Sequence, residues 1–151
     1  ALADAGLPAG LLPEEAGRGG ALERLRDHGW RIVQERRTRR RPRRLSGADG
    51  DGEAGELAVD EVRYRVGARP AIHREVELEA APGRNLPAGV LGALRRRFGN
   101  ALRPWDHSKL ATGRALERLE ADGGAGEWRR PDGSLTPTAY DLLAGLLEEE
   151  G

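Results

Sequence analysis

Hydrophobic and polar positions alternate through the middle of the chain. In Glu56 to Val66 (ELAVDEVRYRV), Leu57, Val59, Glu61 and Arg63 share one parity, and Ala58, Asp60, Val62 and Tyr64 share the other. A period of two is the mark of a strand. Arg31 to Leu45 (RIVQERRTRRRPRRL) precedes it, with Ile32 and Val33 at its start and Arg37, Arg39, Arg41 and Arg43 on one face. Pro42 marks this strand as an edge or a strand end. Ala71 to Ala80 follows, after a turn at Gly67 to Pro70. The Gly- and Asp-rich stretch Ser46 to Gly55 reads as a hairpin loop. Three strands on short connections predict an antiparallel meander.

The period then changes. Leu86, Val90, Leu91, Leu94 and Phe98 recur at helical spacing, as do Leu110, Ala111, Ala115, Leu116 and Leu119. Ser108 is placed to cap the second of these helices. Thr136, with Pro137 behind it, starts a last helix whose apolar stripe is Tyr140, Leu143 and Leu147. Ahead of the strands, Ala21 to His28 reads as a short helix stopped by Gly29. The expected organisation is residues 1–19 as a loop or the remnant of a preceding segment, 20–121 as the principal domain, 122–133 as a linker and 134–151 as a C-terminal helix.

Composition narrows the function classes. The chain has 151 residues, no cysteine and a formal net charge of zero. Disulfides and thiolate metal sites are therefore excluded. No apolar run approaches the roughly 20 residues of a membrane span, and no basic region with an apolar core opens the chain. A cytoplasmic protein without membrane contact is the expectation. The chain begins at Ala1 and contains no methionine, and it is expected to be a fragment of a longer one. Among many arginines there is one lysine, Lys109.

The chemistry concentrates in three places. Glu75, Glu77 and Glu79 alternate with Val76 and Leu78, forming a column of like charges. Such a column holds Mg²⁺ or Mn²⁺ through hard oxygens, or it faces solvent while Val76 and Leu78 face a core. The arginine comb offers paired donors to phosphate oxygens, to a nucleic-acid backbone, or to nearby acids. Asp60 lies on the Val62 and Tyr64 side, where a buried carboxylate requires a partner such as a strand arginine. His28, His73 and His107 share no metal-ligand spacing and read as structural. GADGDGEAG lacks the ending of a phosphate loop and reads as a turn. No serine has a nucleophile context, and the tryptophans and Tyr140 read as packing aromatics.

The order of these pieces resembles the second half of the CYTH family, the triphosphate tunnel metalloenzymes. Arg37-Thr38-Arg39, then Val59-Asp60, then Glu75-Val76-Glu77, then Ser108-Lys109 follow its sequence of motifs over about residues 20–121. The resemblance implies an α+β fold, an antiparallel sheet forming part of an eight-stranded tunnel flanked by helices. It implies a metal-dependent triphosphatase acting on inorganic tripolyphosphate or an organic triphosphate, or the C-terminal half of such an enzyme. Glu75 and Glu77 are then metal ligands, with Glu79 and Asp60 as further candidates, and Mg²⁺ or Mn²⁺ is the cofactor. Arg37, Arg39, Arg41 and Lys109 are the phosphate ligands, and Glu75, Glu77 and Lys109 carry the catalysis. The family's first-strand E-x-E-x-K is absent, so a missing N-terminal half or a second chain is expected to complete the tunnel. The alternative is a non-catalytic module that binds polyphosphate or nucleic acid through the arginine strand. On the leading reading the partner is a triphosphate-containing small molecule and not a nucleic acid.

Overall fold

The computed structural model describes residues 26–31, 33–47, 52–87, 89–123 and 128–149. The chain divides into two units, Ala1–Val33 and Gln34–Gly151. In the first, Arg26 and Asp27 are helical and Gly29 follows with φ 81, while the rest of the expected 21–28 helix lies outside the described residues. Trp30 is exposed.

The second unit is α+β. Its strands are β1 (Arg36–Ser46), β2 (Glu53–Val66) and β3 (Arg69–Ala80), paired antiparallel in the order β1-β2-β3. The meander is therefore as the alternation predicts. β1 begins at Arg36, later than the apolar pair Ile32 and Val33 suggests, and it is an edge strand, as Pro42 requires. β2 and β3 join through Gly67 and Ala68 alone. Gly67 has φ 59, the left-handed angle suited to the first residue of a tight two-residue hairpin loop. Within the loop between β1 and β2, residues 48–51 lie outside the described set.

Three α-helices follow: α1 (Val90–Phe98), α2 (Lys109–Ala121) and α3 (Pro137–Glu148). α1 starts four residues later than its apolar spacing suggests, behind Gly89 at φ 83, and none of its residues is buried. Ser108 caps α2 by accepting from the Ala111 N–H, and Thr136 caps α3 by accepting from the Ala139 N–H. Each cap satisfies one of the amides that a helix start leaves open.

The core lies on one face of the sheet. Val62, Tyr64, Val66 and Ala71 from the strands meet Ala115, Leu116 and Leu119 of α2 and Ala139, Leu143 and Leu147 of α3, with Trp128 and Leu135. The segment before α3 is bound to β3: the Ile72 N–H donates to Gly133 O at 2.8 Å and the Leu135 N–H to Ile72 O at 3.2 Å. Arg129 fastens it further, donating to Glu120 through Nη2 and to the carbonyls of Val66 and Arg69 through Nη1. No described helix is long and apolar enough to cross a membrane.

Candidate functional site

Register decides which charges meet. Arg40 pairs with Asp60, and Asp60 pairs with Glu75. One face of the sheet therefore carries Arg36, Thr38, Arg40, Pro42 and Arg44 on β1, the even positions of β2, and His73, Glu75, Glu77 and Glu79 on β3. This is the face on which the core lies. The glutamates point the same way as Val62 and Tyr64, so it is Val76 and Leu78 that face away.

Asp60 has no exposure to solvent, yet it is fully partnered. Arg40 donates to both of its oxygens, Nε to Oδ1 at 3.0 Å and Nη2 to Oδ2 at 2.9 Å. That is the bidentate fork a carboxylate accepts best. Lys109 Nζ lies 3.1 Å from Oδ2 of the same residue. The Arg40 hydrogen bonds, chiefly, hold the Asp60 carboxyl below its usual range against the opposing cost of burial.

Lys109 sits at the centre. Its ammonium is ion-paired with Asp60, Glu75 and Glu77 together. Burial opposes its charge, but the three carboxylates outweigh that and raise its pKa above the ordinary lysine value. Its backbone is fixed independently. The Tyr64 hydroxyl donates to the Lys109 carbonyl at 2.9 Å, and Gln34 Nε2 donates to the Leu110 carbonyl at 3.1 Å. Arg40 also pairs with Glu77 and lies 3.7 Å from Glu56.

Glu75 has a second neighbour. His73 is buried, with Nε2 3.1 Å from Glu75 Oε2 and Nδ1 3.2 Å from the Tyr140 hydroxyl. Burial lowers the His73 pKa, against the pull of Glu75, and the ring is neutral at pH 7. An ionised carboxylate only accepts, which assigns the proton to Nε2 and leaves Nδ1 to accept from Tyr140. Trp105 packs at 5.8 Å from His73 and 5.7 Å from Tyr140, ring centre to ring centre. Burial works to raise the Glu75 pKa, but the hydrogen bonds from Lys109 and His73 bring it below the ordinary value.

One oxygen from each of Asp60, Glu75 and Glu77 lies within 4.8 Å of the others. Glu75 Oε1 is buried, and the group that meets it is the Lys109 ammonium. Three hard carboxylate oxygens are of the chemistry that Mg²⁺ or Mn²⁺ takes. The donor set fits such an ion, and Lys109 competes for the same three carboxylates.

The other expected residues are placed differently. Glu79 shares the face but is exposed and stands opposite Glu56, outside the trio. Arg37, Arg39 and Arg41 are exposed on the opposite face of the sheet, so the thickness of the sheet separates them from Glu75 and Glu77. The arginine that joins the glutamates is Arg40, one parity away. His73 and Tyr140 belong to the site although neither reads as functional in sequence. For His73 the signal was present, since it shares the parity of Glu75 and Glu77. Compared with family models, curated proteins and solved structures, the chain finds no match in any of the three.

Proposed function

We propose that this face is a phosphate-binding centre which takes a triphosphate with Mg²⁺ or Mn²⁺ and hydrolyses its terminal anhydride. The observation that carries the reading is the convergence of the single lysine, Lys109, with Asp60, Glu75 and Glu77 beside Arg40. Asp60, Glu75 and Glu77 are the residues that would hold the cation. When bound, the cation would supply charge neutralisation at phosphate oxygens and acidify a water molecule. Lys109, freed from the carboxylates, offers a mobile point charge to a phosphate oxygen, and Arg40 offers a fixed planar fork. Asp60 keeps Arg40 oriented. The CYTH resemblance supports the same assignment of Glu75, Glu77 and Lys109. The open three-stranded sheet is then one part of a tunnel, completed by further strands of a longer chain or of a second one.

The test is phosphate release from inorganic tripolyphosphate, with and without Mg²⁺ or Mn²⁺. Metal-dependent release that Glu75→Gln and Glu77→Gln abolish is the expected result. Release that keeps its full metal dependence in both variants refutes the assignment.

A second reading has its own support. No ion pair among the described residues reaches Arg37, Arg39 or Arg41. An open cleft that includes Arg37, but not Arg39 or Arg41, is lined also by Arg36, Arg63, Arg65 and Arg69 with Glu35. These arginines suit an extended polyanion, either polyphosphate or nucleic acid, bound without turnover. Its affinity for such a chain would fall steeply with salt, and salt-insensitive binding removes the reading.

A further inference from the structure

Glu75 is held from two sides, and the second side comes from the far end of the chain. Lys109 covers Oε1, while His73 donates to Oε2 at 3.1 Å. His73 is itself held by the Tyr140 hydroxyl at 3.2 Å. Tyr140 belongs to α3, beyond the segment that carries the family resemblance. Its position is firmly set, because α3 buries Ala139 and Leu143 on either side of it in the common core. Thr112, also buried, accepts from Trp105 Nε1 at 3.0 Å and so fixes the indole that packs against both rings. The elements packed around His73 bring it Glu75 from its own strand, Tyr140 from α3, and Trp105.

We infer that Tyr140 and His73 are positioning residues for Glu75, a hydrogen-bonded chain through which the C-terminal helix aims one carboxylate of the site at its cation. The inference rests on the metal reading of the trio given above. A carboxylate bound only through Lys109 is free to turn about its last torsion when the ammonium leaves. The His73 N–H removes that freedom, and the Tyr140 hydroxyl removes it from His73. Partners of this kind around a metal ligand commonly change affinity 10- to 100-fold when lost. The ring at position 140 packs against the core with or without a hydroxyl, so the hydroxyl itself is the feature to test.

The experiment titrates the 151-residue chain with Mn²⁺ alone, read by the paramagnetic resonance of the free ion and requiring no turnover. The variants are Tyr140→Phe, His73→Leu and His73→Gln. Tyr140→Phe keeps the ring and is expected to weaken Mn²⁺ about tenfold, and His73→Leu about 10- to 100-fold. His73→Gln restores an amide N–H towards Glu75 and is expected to recover most of the loss, which a purely structural role would not produce. Near-ultraviolet circular dichroism checks that each variant is folded. If His73→Leu does not fold, Tyr140→Phe decides alone. Wild-type affinity in Tyr140→Phe, with Glu75→Gln abolishing binding, overturns the positioning role and leaves the metal reading intact. Failure of the wild-type chain to bind Mn²⁺ overturns both.

Discussion

Replacing Lys109 by methionine keeps most of the length of the side chain and removes its charge. Three carboxylates then face one another with Arg40 as their remaining cation. A unit-charge pair at the 3.1 Å separating Lys109 Nζ from Asp60 Oδ2 is worth roughly 5 kcal/mol at an effective dielectric constant of about 20. Lys109 no longer has to be desolvated in the variant, which returns part of this. Glu77 is more than a third exposed, and water screens its share. Loss of one partner from a buried pair costs about 3–5 kcal/mol, and the lower half of that range is expected here. Urea unfolding followed by tryptophan fluorescence measures it. The pH dependence supplies the sharper check. Without Lys109 at least one carboxylate of the trio has a folded pKa above its unfolded value. At that carboxylate the folded variant then binds more protons than the unfolded chain, so this contribution to its stability rises as pH falls from 7 towards 5. In the wild type the pKa values of Asp60 and Glu75 are depressed, and that contribution is lost only as pH falls below about 4. The gap between the two proteins therefore narrows on acidification. Mn²⁺ should also bind the variant more tightly, its competitor being gone. A cost below about 1 kcal/mol at pH 7 with no narrowing towards pH 5 would refute the idea that Lys109 organises the trio.

Arg40→Gln is expected to cost about 2–3 kcal/mol, because it removes a bidentate, charge-assisted pair from a carboxylate with no solvent exposure. Arg39→Gln, one residue away on the exposed face, is expected to stay within about 0.5 kcal/mol of wild type. Equal effects of the two in urea unfolding would mean that the β1 register differs from the one described. His73 supplies a second pH dependence: burial lowers its folded pKa, so the unfolded chain binds more protons just below the ordinary histidine value. Stability should begin to fall as pH drops below about 6.5, ahead of the carboxylates. Stability that is flat from pH 7 to 5 in thermal unfolding would count against a buried neutral ring.

Local rules fixed much of this protein in advance. The two-residue period of β2 and β3 follows from alternating side chains, and the turn after Val66 was legible from Gly67, although its two-residue length, with β3 starting at Arg69 and not Ala71, was not. The caps at Ser108 and Thr136 were legible because each hydroxyl stands just before an apolar periodic run. The column of Glu75 and Glu77, the oddity of Lys109 and the need of Asp60 for an arginine could all be read from residue type and parity. What no local rule supplies is the register between β1 and β2. A shift by one residue exchanges every side chain between the faces, and seven arginines among eleven positions leave the pattern of β1 nearly blind to such a shift. The tertiary structure therefore chose Arg40 over Arg37, Arg39 and Arg41. It also chose the face: packing α2 and α3 on the glutamate side brought Lys109 onto the column and Tyr140 onto His73. These contacts join residues 32 and 67 positions apart, and only the closing of a common core around Leu116 and Leu143 brings them within hydrogen-bonding distance.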